Sequence, residues 1–130
     1  MITGCNAING SSMTYYAKQF SNALVFGSCR GVDPRKKEGR LIEKFWVWID
    51  KQELGKLDWK KNPAHRQLLA KKFEQFVEIV GKDNPGEVSG MGWFDTTSGQ
   101  RRVFIKDKKT NRGRWITQNY SSLLPKHQLK

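Results

Sequence analysis

The chain has 130 residues, enough for one domain that buries a core without disulfides or metal ions. Its 24 Lys and Arg residues outnumber its 12 Asp and Glu residues, giving a formal net charge of +12 at pH 7. This excess favours a polyanionic partner, nucleic acid first and an anionic membrane surface second. No apolar run approaches the roughly 18 residues of a membrane span, no signal peptide is indicated, and two cysteines are too few for a disulfide framework. We therefore expect a cytoplasmic protein whose partner is not a membrane.

The first 20 residues are predicted to be a flexible arm or an edge strand, because turn-forming residues dominate the first dozen positions. Within this segment, Met13 to Phe20 is aromatic and suits pairing at a sheet edge. The run Asn22 to Cys29 predicts a strand, since its apolar side chains alternate between two faces. A turn at Gly31 to Pro34 and a basic loop follow it.

The stretch Gly39 to Lys51 predicts a strand whose two faces differ. Apolar side chains at alternate positions make one face suited to a core, and the other face carries Lys44, Trp46 and Trp48. A row of indoles must be covered, either by protein or by nucleobases, which stack on aromatic rings. The first alternative is purely structural, and the second makes this strand a base-stacking platform.

The best-defined element is a helix that begins at Asn62 and Pro63, residue types favoured at the N-cap and at the first helical position. An apolar stripe with helical spacing continues to Val80, and Gly81 occupies the position of a C-terminal cap. The preceding segment, Leu54 to Lys60, is expected to supply a short strand.

Beyond the helix, the sequence predicts three further strands at Glu87 to Phe94, Gln100 to Lys106 and Arg114 to Tyr120. A hairpin turn separates the first two of them, a basic turn separates the last two, and residues 125–130 are expected to fray. The sequence thus predicts five or six strands and one helix, in an order that is that of an OB-fold. The predicted fold of residues 21–124 is therefore mainly all-β, a five-stranded Greek-key barrel with one α-helix between the third and fourth strands.

Short motifs, in this order, resemble those of bacterial single-stranded DNA-binding proteins. Asn22 to Lys36 resembles the first strand of that family with its Gly-x-Asp-Pro turn, and Leu68 to Gly81 resembles its helix. Gly86 to Gly90 and Arg114 to Leu124 resemble two later strands of its barrel. The resemblance implies an OB-fold that coats single-stranded DNA. The chain departs from the family at its end, Leu124 to Lys130, which lacks the acidic, Phe-terminated tip that recruits replication enzymes.

Binding a single strand requires cations for the phosphates and aromatic platforms for the bases. The cations expected to bind nucleic acid are Arg35, Lys36, Lys37, Arg40, Lys44, Arg102, Lys106, Arg112 and Arg114. The expected stacking side chains are Trp46 and Trp48, together with Phe104 and with Trp115 or Trp93. In the strand Gln100 to Lys106, alternation places Arg102, Phe104 and Lys106 on one outward face, a second stripe of cations and rings. The structural alternative is a solvated surface kept soluble by its charge.

No enzymatic activity is indicated, because the carboxylates are scattered singly and His65 and His127 are far apart in the sequence. No phosphate-binding loop, Ser/His/Asp order or metal-spaced Cys/His set is present. We expect neither a metal nor a cofactor.

The sequence therefore predicts a sequence-tolerant single-stranded DNA-binding protein, associated with the nucleoid and acting as a homo-oligomer. Such a protein protects single strands in replication, recombination or repair. One alternative is an RNA-binding or primosome-accessory OB-fold protein. Another, of a different class, is a protein-interaction module that uses the Trp face as a subunit interface.

Overall fold

A computed structural model describes residues 2–4, 8–20, 22–29, 37–51, 63–83 and 85–124. Five strands in these residues form one open sheet in which neighbours along the chain are neighbours in space. They are β1 (Ile2–Gly4), β2 (Leu24–Ser28), β3 (Met91–Asp95), β4 (Gln100–Lys106) and β5 (Gly113–Asn119). The short strand β1 lies parallel to β2, whereas the other three pairings are antiparallel.

Four α-helices lie in the described residues: α1 (Gly10–Gln19), α2 (Lys37–Lys51), α3 (Pro63–Gly81) and α4 (Pro85–Val88). A 3-10 turn at Ser121–Leu123 follows β5. Helix α1 connects β1 to β2, and the other three helices lie between β2 and β3. The Asn9 side chain caps α1 by accepting a hydrogen bond from the Ser12 backbone N–H at 2.8 Å. In the described part of the chain, no helix has both the length and the apolar character that crossing a bilayer requires.

Helices cover both faces of the sheet. Leu24 and Phe26 of β2 pack with α2 and α3, whereas Val25 between them packs with α1 on the opposite face. This follows from the strand geometry, since successive side chains point to opposite faces. The architecture is therefore three layers, with α1 on one side of the sheet and α2 and α3 on the other.

The larger of the two cores centres on Phe73 of α3, which is fully buried. The centroid of its ring lies 4.8 Å from that of Phe26 in β2 and 4.9 Å from that of Phe45 in α2. These contacts join both helices to the sheet, so this cluster fixes the α2–α3 layer in place.

The smaller core lies between α1 and the other face of the sheet, and Arg101 of β4 stabilises its edge. The Arg101 guanidinium donates a 2.9 Å hydrogen bond from Nη1 to the Ile8 carbonyl and another of 2.9 Å from Nε to Oε1 of Gln118. Its Nη2 donates to the Tyr120 hydroxyl at 3.0 Å, and its central carbon lies 4.9 Å from the centre of that ring. With so many donors engaged, Arg101 is a structural residue that ties β4 and β5 to the segment before α1.

The predicted OB-fold barrel is wrong. A barrel requires its sheet to close, but β1 and β5 lie at opposite edges of the described sheet. One helix was expected, yet the described residues contain three between β2 and β3 and a further one between β1 and β2. Because helices cover both faces of an open sheet, β2 and most of β3 are buried without the sheet closing on itself.

The predicted strand at Gly39 to Lys51 is also wrong, since these residues lie in α2. Phe45 and Ile49, four residues apart, are buried on the core side of the helix, while Val47 is 59% exposed on the opposite side. Trp46 and Trp48 flank the buried side, because each residue turns a helix by about 100°. The two indoles therefore do not share a face as they would on a strand.

The edge-strand prediction for Met13 to Phe20 is wrong as well, since α1 occupies most of this segment. The sheet edge is formed by Ile2–Gly4, which agrees with the edge-strand alternative for the first dozen residues. The expected strand at Glu87 to Phe94 divides into the end of α4 and most of β3. The predicted strands around β2, β4 and β5 and the long helix α3 are confirmed. The strand expected at Leu54 to Lys60 lies outside the described residues.

Candidate nucleic-acid interface

The connection between β4 and β5 carries a dense group of exposed cations, which we call the basic hairpin tip. Between positions 106 and 114 the chain has one acidic residue, Asp107. The tip comprises the exposed side chains of Lys106, Lys108, Lys109, Arg112 and Arg114. Such a concentration of positive charge on one turn is suited to neutralising several phosphates of a polyanion.

Hydrogen bonds within the turn give the tip a defined shape. The Asp107 N–H donates to the Arg112 carbonyl at 2.8 Å, and the Asn111 N–H donates to the Asp107 carbonyl at 2.8 Å. The Asp107 carboxylate accepts from the Lys109 N–H at 2.8 Å. Asn111 has a φ of 58°, a left-handed conformation that Asn adopts more readily than most residues. The cations therefore project from an ordered turn.

The acid within the tip neutralises little of its charge. Arg114 Nε lies 3.9 Å from Oδ2 of Asp107, and the Arg114 side chain is 64% exposed. An exposed pair at this distance contributes roughly 0–1 kcal/mol. Arg114 is accordingly able to exchange this contact for a phosphate at small cost.

A cleft of about 390 Å³ opens beside the tip, between β4, β5 and the end of α3. Trp115 lines it together with two cations, Arg112 and Lys82, and two acids, Glu78 and Asp83. We call it the Trp115 cleft. Its volume lies within the range of about 300–1,000 Å³ that is typical of small-molecule sites. It combines an aromatic surface with cations, the two features that single-strand binding requires.

Three neighbours fix the Trp115 ring. Its Nε1–H donates to Oε1 of Glu78 at 2.8 Å, and its ring centroid lies 5.2 Å from that of Phe104 at an interplanar angle of 70°. The Arg102 guanidinium carbon lies 5.3 Å from the ring centre. The indole is thus held in place before any ligand binds.

Arg102 does not lie on a free outward face as the sequence predicted. It donates to the Glu74 carboxylate of α3, and its side chain is 36% exposed. Glu74 also accepts a 3.3 Å hydrogen bond from Nε1 of Trp93. The alternation along β4 was correct, but α3 covers that face, so Arg102 positions Trp115 instead of being free to meet a phosphate.

The expected stacking platform is largely covered by protein. Phe104 is 6% exposed and belongs to the larger core. The Trp46 ring lies 6.3 Å from Phe26 and the Trp48 ring lies 5.9 Å from Phe76, centroid to centroid, so both indoles pack on that core. Protein therefore covers much of each indole, as the structural alternative predicts, and both rings remain partly exposed.

The structure brings some of the predicted site residues together and separates others. Four of them lie together at the tip and its cleft: Lys106, Arg112, Arg114 and Trp115. Lys44 lies elsewhere, exposed on α2. The remaining predicted cations are not placed: Arg35 and Lys36 lie outside the described residues, and only the helical backbone of Lys37 and Arg40 is described.

Sequence reasoning missed two carboxylates that organise this region, Glu74 and Glu78. They lie four residues apart on α3. Each comes immediately after a residue of the apolar stripe of this helix, Glu74 after Phe73 and Glu78 after Val77. That i, i+4 spacing beside the apolar stripe was the available signal, because it places both acids at the border between core and surface.

Comparison with known proteins adds no further assignment to this geometry. The likeness to bacterial single-stranded DNA-binding proteins thus rests on the short motifs alone, without the barrel that it implied. Searches against protein-family models, curated proteins and solved structures found no match to this chain.

Proposed function

We propose that this protein binds single-stranded nucleic acid, DNA in the first instance, in a sequence-tolerant manner. The observation that carries the proposal is the ordered turn of five exposed cations beside a cleft with an indole in its wall. The net charge of +12 supports the same class of ligand. Binding of this kind would protect exposed strands during replication, recombination or repair.

The basic hairpin tip is proposed to contact the phosphates. Lys108, Lys109 and Arg112 are exposed, and no carboxylate of the described residues is paired with any of them. A phosphate contact gains most of its affinity from counterion release, so binding should fall steeply with salt. Contacts to phosphates carry no sequence information, which fits a sequence-tolerant ligand.

The Trp115 cleft is proposed to receive a base. Each base stacked on an aromatic ring contributes about 1–3 kcal/mol, with little dependence on which base it is. The hydrogen bond to Glu78 and the contact with Arg102 hold the indole, so little ordering of this side chain remains to be done on binding.

A cleft that takes a base favours a single strand over a duplex, since a paired base is stacked between its neighbours and must first be exposed. Fluorescence anisotropy with labelled dT, rU and duplex oligonucleotides of equal length tests this directly. We expect both single strands to bind more tightly than the duplex. Equal affinity for duplex and single strand would contradict the cleft's role, and no salt-sensitive binding to any of them would contradict the proposal as a whole.

Self-association belongs to the same proposal. Among the described strands, β5 pairs only with β4, and an open strand edge is a surface on which a second copy can add. Light scattering on the full chain should give a mass above 15.0 kDa. A monomeric mass at working concentration would contradict the proposed self-association, but it would not bear on the proposed nucleic-acid binding.

A further inference from the structure

We infer that a second pocket, beside α3, binds an oxyanion group, a phosphate or a carboxylate, through Arg66. This pocket has a volume of about 300 Å³ and lies between α3, the end of β3 and the start of β4. Arg66 is one of the residues that line it, and Trp93 and Leu24 supply apolar wall. The size and the mixed lining suit a small organic molecule that carries one anionic group.

Arg66 is the reason for assigning a ligand. It is 6% exposed, and its Nη2 donates to Oγ1 of Thr97 at 3.5 Å, at the long limit of a hydrogen bond. Its Nε and Nη1 are buried, and no acceptor among the described residues lies within hydrogen-bond distance of either. A guanidinium stays charged at all ordinary pH values. Burying it with three N–H bonds unpaired is strongly unfavourable, unless something supplies oxygen atoms.

The carboxylates in the pocket wall are already engaged. Glu74 accepts from Arg102 and from Nε1 of Trp93. The Oδ1 of Asp95 accepts from the Thr97 backbone N–H at 2.8 Å. The observed contacts of both acids are therefore with groups other than Arg66.

The charge of the lining also favours an anion. Arg66, Lys71 and Arg102 are positive, and Glu74 and Asp95 are negative, so the lining has one more positive group than negative groups. Oxyanions match the planar fork of an Arg side chain, which binds carboxylate and phosphate through two parallel hydrogen bonds. Phosphate and carboxylate both present oxygen atoms in this arrangement, so the proposed site accepts either group.

The pocket lies towards the opposite end of β4 from the hairpin tip, although one of its lining residues, Arg102, also contacts the Trp115 ring. It includes Gln100 at the start of β4, whereas the hairpin tip begins at Lys106, at the other end of the same strand. Seven residues of strand span roughly 20 Å. Anion binding at Arg66 can therefore be tested without changing any residue of the hairpin tip.

Thermal unfolding of the full chain tests the site with inorganic phosphate, acetate and chloride at equal pH and ionic strength. Ligands that bind only the folded state raise Tm in proportion to the logarithm of their concentration. We expect phosphate, acetate or both to raise the Tm of the wild type above its value in chloride. In Arg66→Met, which keeps an unbranched apolar stem and removes the guanidinium, that increment should be lost. In chloride alone, this variant should be at least as stable as the wild type, because a buried charge without a partner has been removed.

Lys18→Met is the matched control, since it removes one exposed cation from α1 on the other side of the sheet and should keep the full increment. It also corrects for the general stabilisation that phosphate gives to folded proteins. The inference is overturned if neither phosphate nor acetate raises the Tm of the wild type above its value in chloride. It is overturned equally if Arg66→Met shows the same increase in Tm as the wild type. It is also overturned if Arg66→Met is much less stable in chloride or fails to fold, because the guanidinium would then have a structural partner.

The source of the oxyanion is distinguished by two oligonucleotides that differ only in a 5′-phosphate or a 5′-hydroxyl. Tighter binding of the phosphorylated strand that is lost in Arg66→Met identifies a nucleic-acid end as the ligand. Equal binding of both strands, with the Arg66-dependent anion effect on Tm intact, identifies a free small molecule.

Discussion

The guanidinium carbon of Arg102 lies 5.3 Å from the centre of the Trp115 ring, and the same guanidinium donates to the Glu74 carboxylate. One side chain of the sheet thus connects the long helix α3 to the indole of the proposed interface. Cation–π contacts of this kind contribute about 0.5–2 kcal/mol. The consequence is that Trp115 is positioned by the core of the protein although it lies in the wall of a cleft.

Trp115→Ala should weaken binding of a dT oligonucleotide by about 1–3 kcal/mol, because one stacking surface is lost. Trp115→Phe is the matched control, since it keeps an aromatic face and removes the hydrogen bond to Glu78. Anisotropy titrations of the three proteins at one salt concentration measure the effect. If Trp115→Ala binds as tightly as the wild type while remaining folded, no base occupies the cleft.

Trp48→Ala should lower the free energy of unfolding by roughly 1–3 kcal/mol, because the indole packs on Phe76 and Phe45. Its effect on nucleic-acid affinity should be negligible once the folded fraction is taken into account. Val47→Ala, on the exposed side of the same helix, is the control and should change stability by less than about 0.5 kcal/mol. Urea unfolding and anisotropy together check both statements. A Trp48→Ala variant of unchanged stability and weakened binding would restore the base-stacking role predicted for this residue.

Phe73→Ala should cost about 3–5 kcal/mol of stability through the cavity left between Phe26 and Phe45. Chemical denaturation measures this loss. Ile79→Ala is the control on the same helix, because Ile79 is among the exposed apolar side chains. Similar stabilities for the two variants would mean that α3 does not pack on the sheet as described.

Gly113→Ala should destabilise the protein by about 1–3 kcal/mol, because a methyl group at this position would overlap the Phe104 ring. A second substitution, Phe104→Leu, should recover part of the loss in the double variant, since the two sites share one contact. Gly10→Ala is the control, as nothing lies within 4 Å of an added Cβ at that position. Additive effects in the thermal unfolding of the double variant would contradict the contact between Gly113 and Phe104.

The elements predicted correctly are those with strong local signals. Pro63 at the start of α3 and the apolar stripe that ends near Val80 identify a helix without any tertiary information. The alternation of side chains between the two faces of β4 was equally clear, but the sequence did not show that α3 covers one of these faces. Local pattern fixes which side chains share a face, and it leaves open whether solvent or a helix meets that face.

The error at α2 has a definite physical cause. The run from Phe45 to Ile49 is apolar throughout, so it satisfies the two-residue period of a strand and the helical period equally well. Adding Leu41 gives apolar residues at steps of four and eight, which is a helical stripe. The length of the segment, 15 residues in α2, favours the helix, because strands usually have 3–10 residues.

The unpaired state of Arg66 was beyond sequence reasoning altogether. The hydrogen bond between Arg66 and Thr97 joins positions 31 residues apart. The pair of Glu74 and Arg102 joins positions 28 residues apart. Contacts of this separation depend on how α3 packs on the sheet, and no local pattern encodes that packing.

The salt dependence of oligo-dT binding is the most direct test of the proposed interface. The triple variant Lys108→Gln, Lys109→Gln and Arg112→Gln removes three cations of the basic hairpin tip. Lys18→Gln, Lys44→Gln and Lys51→Gln together remove the same charge from exposed positions on α1 and α2. Because each lost phosphate contact reduces the slope of log affinity against log salt by about 0.7 on single strands, the tip variant should flatten it by about 2. The helix variant should keep the wild-type slope. Equal slopes for the tip variant and the wild type would contradict the account, whatever the absolute affinities.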